Sequence, residues 1–324
     1  MKILHHLLLS ILSTSPFLWI TAKPLTVFFG TSGRGSEGIY QATFNPENGK
    51  FTPAKLAVKI GSPGFLALHP NGKILYSVGH WEDGSGALGY HIKQNGELEE
   101  FTRMICPDGG SAHIAVHPSG KFLLTAQYGG GSVALFPLDS SGKLGEPTVT
   151  EHQGGSKVVD RRQDSPHPHW TGFSPDGNYA LIPDLGLDQI VIYKVHSSKP
   201  AITPHGVGQS VPGGGPRHMR FSIDGRFIYL LNELSLSVTT FAWDAQKGTA
   251  KALSTTPAIS QEVKAGESFN SAAEILVHPN GQFLYSSNRG HDSVSVYRAN
   301  PKSGKLKVIQ VQPIRGAFPR NINL

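Results

Sequence analysis

The chain has 324 residues, 38% of them hydrophobic, with 38 Gly and 23 Pro; this excludes a disordered polymer and fits one turn-rich domain with a sizeable core. Lys and Arg outnumber Asp and Glu by 29 to 23, but no basic block interleaves with aromatics, which argues against a nucleic-acid partner and for small anions. Cys106 is the single cysteine, so an internal disulfide and a cysteine-built metal site are both excluded.

Residues 1–22 differ in kind from the rest. Lys2 precedes an apolar stretch from Leu7 to Ile20, interrupted by Ser13, Thr14 and Pro16 and followed by Thr21 and Ala22. That is too short and too broken for a membrane span and reads as a signal peptide cleaved after Ala22. Export to the periplasm or medium is expected, with no membrane attachment after leader removal and a monomeric mature chain, residues 23–324.

Three strands follow, Leu25–Thr31, Gly38–Phe44 and Phe51–Ile60. Then one phrase is written five times: FLALHPNGKILYSV, HIAVHPSGKFLLTA, WTGFSPDGNYALIP, HMRFSIDGRFIYLL and EILVHPNGQFLYSS. Each is an apolar strand, a polar turn ending in Gly and a second apolar strand. The turn glycines Gly72, Gly120, Gly177, Gly225 and Gly281 are spaced by 48, 57, 48 and 56 residues. Third strands such as Ser132–Leu138, Gln189–Val195 and Ser293–Ala299 follow, and a fourth often begins after a Ser-Gly-Lys-Leu turn, as at Ser141–Leu144 and Ser303–Leu306. No segment has a helical period. Four strands repeated at this interval predict an all-β propeller, because one blade cannot bury both its faces alone. After the fifth repeat, Phe318–Leu324 reads as the opening strand of another blade. The strands sum to about six and a quarter blades, and a ring shortened at its C-terminal blade is expected.

In a blade the first two strands form a hairpin, so the start of one and the end of the other share a mouth of the channel. Eight residues before each turn glycine stand Gly64, Ala112, His169, Arg217 and Ala273, with Arg320 falling in the same column. Eight after stand His80, Tyr128, Leu185, Glu233 and Arg289, and seven after stand Gly79, Gln127, Asp184, Asn232 and Asn288. Charged and amide residues at strand positions otherwise apolar predict a cationic, hydrogen-bonding basin. A hydrated channel whose lining satisfies itself is compatible with the same pattern. The run Gly213-Gly214-Gly215 before Pro216 and Arg217 reads as a loop where backbone can approach a ligand or as an ordinary blade link. His167 and His169 flank Pro168, which keeps His167 extended and sends both rings to one side of a strand. Two His lacking a third ligand at metal spacing do not make a structural zinc site, so no metal or cofactor is assigned. No strand–nucleophile–helix elbow supports a serine triad.

The strings GGGPRHMRFSIDGRFIYLLNEL, SAAEILVHPNGQFLYSSNRGHDSVSVY and PHWTGFSPDGNYALIPDLGLDQI resemble the lactonase family of seven-bladed propellers, which includes bacterial-type 6-phosphogluconolactonase and fungal carboxymuconate cyclase. The resemblance covers nearly all of the mature chain. It implies a seven-bladed architecture, of which about six blades are present here, and a catalytic set of His169, Arg217, Glu233 and Arg289. The expected reaction is metal-independent hydrolysis of a sugar lactone, with a small anionic lactone or sugar acid as partner. His169 or Glu233 would be the general base, with the other as acid or orienting group. Arg217 and Arg289 would grip a phosphate or carboxylate and stabilise the oxyanion. His167, Asp184, Asn232, Asn288, His218 and Arg320 are candidate substrate contacts. A cycloisomerase using the same four residues and a non-catalytic secreted binder are the alternatives.

Overall fold

The computed structural model describes residues 23–324; the expected leader, residues 1–22, lies outside the described residues. Six antiparallel four-stranded sheets follow one another along the chain. Blade 5 shows the pattern, with Pro216–Phe221, Phe227–Asn232, Ser237–Asp244 and Thr249–Pro257 paired in sequence order. Blades 2, 3, 4 and 6 open on Leu66–Leu68, Ser111–Val116, Gly172–Phe173 and Ser271–Val277. Blade 1 pairs Leu25–Gly30 with Gly38–Asn45, whose other edge takes both Lys50–Phe51 and Lys55–Lys59. The sequence reading of Phe51–Ile60 as one strand is corrected by that break. Pro53 stands in the gap and cannot donate to a ladder.

The second strands of blades 2 to 5 are buried on both faces, and that explains their continuous apolar spelling, whereas in blade 6 Phe283 and Tyr285 stay half-buried. Successive side chains point to opposite sheet faces, and each face packs on a different neighbour. Leu123 joins Tyr76, Val78 and Ile114 between blades 2 and 3, while Phe122 and Leu124 join Ala180 and Ile182 between blades 3 and 4. Leu181 packs with Ile228 and Leu230, and Tyr229 and Leu231 pack with Leu284 and Tyr297. Outer strands alternate with solvent instead, as in Thr249–Pro257.

The five turn glycines sit at φ of 69 to 73°, a left-handed conformation that any other residue adopts at a cost. Three residues before two of them, histidines clamp one blade to the next. The His117 ring accepts from the Ser119 amide through Nδ1 (3.1 Å), which fixes Nε2 as the donor, and Nε2 meets the Gly177 carbonyl at 3.0 Å. His69 repeats the device with the Asn71 amide and the Gly120 carbonyl, both at 3.1 Å.

Two further differences from the sequence reading have physical causes. A six-residue helix, Gln261–Gly266, capped by Ser260, lies between blades 5 and 6 and buries none of its residues. Under two turns long and held by Lys264 on the Leu234 and Ser235 carbonyls rather than by an apolar face, it carries no apolar period. Residues 318–324 form no ladder, although Phe318 donates its amide to Asp292 at 2.8 Å and Asn321 reaches Glu274 at 2.8 Å. No helix among the described residues is long and apolar enough to cross a membrane.

The His117 clamp is testable by stability. His117→Ala removes both hydrogen bonds and a ring stacked on Phe122 at 4.5 Å, so chemical denaturation should show a loss of about 2–4 kcal/mol. His69→Ala, at a half-buried site, should cost less.

Candidate active site

The inner strands of blades 3, 5 and 6 lose register where they reach the channel mouth. In blade 5 Pro216 pairs with Asn232 but His218 with Leu231, so Arg217 is an extra residue. In blade 6 Ala272 pairs with Asn288 and Ile275 with Ser286, leaving Ala273 and Glu274 opposite one residue. In blade 3 Ala112 is extra between Ser111 and His113. Such bulges re-aim side chains. Here they allow two consecutive residues, such as Arg217 and His218, to serve the channel.

Glu233, at the end of the second strand of blade 5, is the centre of the basin. Its Oε2 accepts from Arg217 Nε at 2.8 Å, with Arg289 Nη2 at 3.3 Å and His169 Nε2 at 3.8 Å. Its Oε1 accepts from Arg162 Nη2 at 2.8 Å. The expected catalytic set is thus brought together from blades 4, 5 and 6. Arg217 is 2% exposed and also donates through Nη1 to the Ala273 carbonyl; Arg289 is tied to Ser271 Oγ and to the Ala272 carbonyl.

Burial pushes the Glu233 carboxyl up, but the His169 ring with Arg217, Arg289 and Arg162 outweighs it and brings the group down to about 2. Burial lowers Arg217 to about 10, still protonated at neutral pH. Burial, reinforced by Arg217, holds His169 well below the ordinary imidazole range. At neutral pH the cluster is therefore one carboxylate, three guanidiniums and a neutral imidazole, with two positive charges in excess. His169 Nδ1 is buried without a partner among the described residues.

The other expected contacts divide. His167 stacks on Tyr128 at 4.7 Å and sets its Nδ1 on the Tyr128 carbonyl at 2.8 Å, while His169 meets the same ring edge-on at 5.2 Å. Both imidazoles therefore share Tyr128, and no group of three metal-ligating side chains forms among the described residues. Asp184 is fully buried and accepts from the amides of His167, Gly186 and Leu187 and from His152 Nδ1. Asn232 donates to Ser237 and Thr239 and accepts from Ser210; Asn288 donates to Ser293 and Ser295. The polarity of Asp184 and Asn232 serves the hairpin turns, so the expectation of substrate contact is corrected for those two; Asn288 Oδ1 is buried without a partner among the described residues. The glycine run is likewise held from beneath: Asp188 accepts from the amides of Gly213 (2.7 Å) and Gly215 (2.9 Å). It is a blade link with its backbone donors already used. His218 lies one level below the basin, and Arg320 is an exposed cation whose charge acts on Arg217, His218 and Arg289.

Two residues were not anticipated. Arg162 belongs to the connection between blades 3 and 4, outside the repeat, and carries no positional signal. Glu274 had one: seven residues before the turn glycines stand Phe65, His113, Trp170, His218 and Glu274. Those side chains form the next layer down. His113 lies 3.8 Å from Phe65, 5.3 Å from Trp170 and 5.6 Å from His218 between ring centres. Beneath them, towards the turn glycines, a cavity of about 460 Å³ is bounded by His113, Trp170, Thr171, Phe173, Met219 and Arg220.

Fold and basin together define a β-propeller with an anion-attracting mouth and a neutral imidazole beside it. The profile of the family described as "Lactonase, 7-bladed beta-propeller" matches residues 26–324, and the chain belongs to that family. It is 33% identical over 288 residues to a 6-phosphogluconolactonase of Bacillus subtilis, spanning 89% of this chain and 81% of that relative. Among solved structures, the periplasmic gluconolactonase of Pseudomonas aeruginosa superposes with a TM-score of 0.80 at 30% identity, over 92% of this chain and 85% of that one. A Lactobacillus plantarum protein superposes with a TM-score of 0.86 at 29% identity, over 92% and 85%.

Burial also lowers His113 and His218, so three buried imidazoles stay neutral in the fold. The unfolded chain binds these protons near the ordinary value of 6.5, so stability is full above that pH and falls as pH drops below it. Urea midpoints should be lower at about pH 5 than at about pH 7.5, and His113→Phe should flatten the difference.

Proposed function

We propose that the chain hydrolyses an anionic sugar lactone, of the 6-phosphogluconolactone kind, at the mouth formed by blades 4, 5 and 6. The observation that carries this reading is the basin's charge: three guanidiniums against one carboxylate, beside an imidazole kept neutral. An excess of two positive charges in a partly desolvated pocket favours a phosphate or carboxylate, which arginine can bind bidentately. The family's relatives named for 6-phosphogluconolactonase and gluconolactonase activity supply the reaction class.

The geometry supports a division of roles. Glu233, held near 2 by its cationic neighbours, is a weak base; it keeps Arg217 and Arg289 side by side. His169 is the general base. It takes a proton from water as the oxygen adds to the lactone carbonyl, and the arginines stabilise the tetrahedral oxyanion. The ring C–O bond then breaks, His169 returns the proton to the departing alkoxide, and the sugar acid forms. Export belongs to the same proposal, supported by the apolar run of residues 7–20 and the periplasmic relative. An exported enzyme would meet lactones whose negative charge is a carboxylate more readily than sugar phosphates. Fractionation of cells expressing the full chain tests export, and retention of the uncleaved chain in the cytoplasm would refute it.

His169→Asn should reduce kcat for 6-phosphogluconolactone by about 10²–10⁴-fold with little change in KM. Arg289→Ala should raise KM by about 10–100-fold through a lost charge-assisted contact. Because the neutral imidazole is the active form and burial lowers its pKa, the acid limb of kcat/KM should fall below pH 6.5. A pH-stat assay reads all three. Ring closure of 3-carboxymuconate in place of lactone opening would reassign the reaction, and saturable binding of sugar acids with no turnover would make the protein a binder.

A further inference from the structure

Below the basin, His218 bridges two groups whose hydrogen-bonding capacities leave it one choice. Its Nδ1 is 3.1 Å from Glu274 Oε1, and its Nε2 is 3.2 Å from Arg217 Nη1. A carboxylate only accepts and a guanidinium only donates. The ring must therefore be neutral, with its proton on Nδ1 and its lone pair on Nε2 accepting from Arg217. An imidazolium, or the opposite tautomer, would set an N–H against an N–H.

Glu274 is built to hold this state. Its side chain is 1% exposed, and Oε1 also accepts from Arg220 Nη2 and from the Ile275 amide, both at 3.0 Å. Asn321 donates to Oε2 at 2.8 Å. The other charged and titratable groups acting on His218 are Arg220, Arg289 and Arg320, with the His169 ring 5.4 Å and the His113 ring 5.6 Å away. The Glu233 carboxylate lies one residue further off, bonded to the same Arg217. With Nε directed to Glu233 and Nη1 to His218 and the Ala273 carbonyl, Arg217 keeps Nη2 without an acceptor among the described residues.

We propose that Glu274 is a positioning residue: by fixing the His218 tautomer it makes that ring an acceptor for Arg217, and so orients the guanidinium that receives the substrate's negative charge. This rests on the lactonase reading for the identity of the anion, but the tautomer itself does not. The logic resembles that of a buried carboxylate fixing a catalytic histidine's tautomer, with a guanidinium in place of the nucleophile.

Two measurements on the full chain test it. Neutron diffraction of the unaltered protein should show a deuteron on His218 Nδ1 and none on Nε2; a deuteron on Nε2 overturns the proposal without any variant. Calorimetric titration with 6-phosphogluconate compares His218→Gln, whose amide oxygen can supply an acceptor where Nε2 stood, with His218→Leu, which cannot. The Gln variant should bind about tenfold more tightly than the Leu variant, and Glu274→Leu, which leaves His218 Nδ1 no acceptor, should bind about tenfold more weakly than the unaltered chain. Equal affinities for His218→Gln and His218→Leu overturn the proposal. A protein that binds 6-phosphogluconate in this order but opens no lactone would remove the enzymatic reading and leave the positioning role standing.

Discussion

Arg217 and Arg289 approach within hydrogen-bonding reach of one carboxylate oxygen, in a pocket where Arg217 is almost wholly withdrawn from water. Two guanidiniums that close repel strongly at low effective dielectric, and only Glu233 between them makes the arrangement tolerable. Removing the carboxylate would leave uncompensated buried charge. The same carboxylate reaches Arg162 on the connection leaving blade 3, so one residue ties the inner ends of three blades to a loop. It satisfies one charge of three. The remainder is what the site offers to a ligand.

That offer has value only if the arginines do not relax towards water, and the packing prevents it. The second strands of the inner blades are gripped on both faces by different neighbours, as in blade 3 with Leu123 on one side and Phe122 and Leu124 on the other. A shift of one blade would disturb two interfaces at once. The turn end of the ring is clamped by His69 and His117 through tautomers set by local amides. Donors held in place before substrate arrives need no reorganisation when charge develops, and that is the source of most electrostatic stabilisation of an oxyanion.

The repeat was legible because a left-handed glycine recurs at every first hairpin, and a hairpin counts residues equally in both directions from its turn. The same counting brought His169, Arg217, Glu233 and Arg289 to one mouth. It failed where the ladder does not count evenly. A bulge at Arg217 and another at Ala273–Glu274 turn neighbours in sequence into neighbours on one surface, so Glu274 was hidden by the assumption of strict alternation. Asp184, Asn232 and the amide nitrogen of Asn288 misled in the opposite sense. They are polar because the turn linking second and third strands needs acceptors and donors, met by Gly186 and Leu187 amides or by Ser237 and Ser293 hydroxyls. Arg162 lies in a connection with no counterpart in the other repeats, where no count applies.

The two layers of the channel differ in charge balance, and this gives the mouth a direction. Above, three arginines face one glutamate. Below, Arg220 meets Glu274 at 3.0 Å and lies over the Trp170 ring at 5.7 Å, so its charge is matched and its face is covered. His113 and His218 add no charge while burial keeps them neutral. An anion entering from above therefore gains at Arg217 and Arg289, and among the described residues the layer beyond them offers the rings of Phe65, His113 and Trp170 and an Arg220 already paired with Glu274. The level at which that gain ends is also the level of His169 Nε2, 3.8 Å from the Glu233 carboxylate.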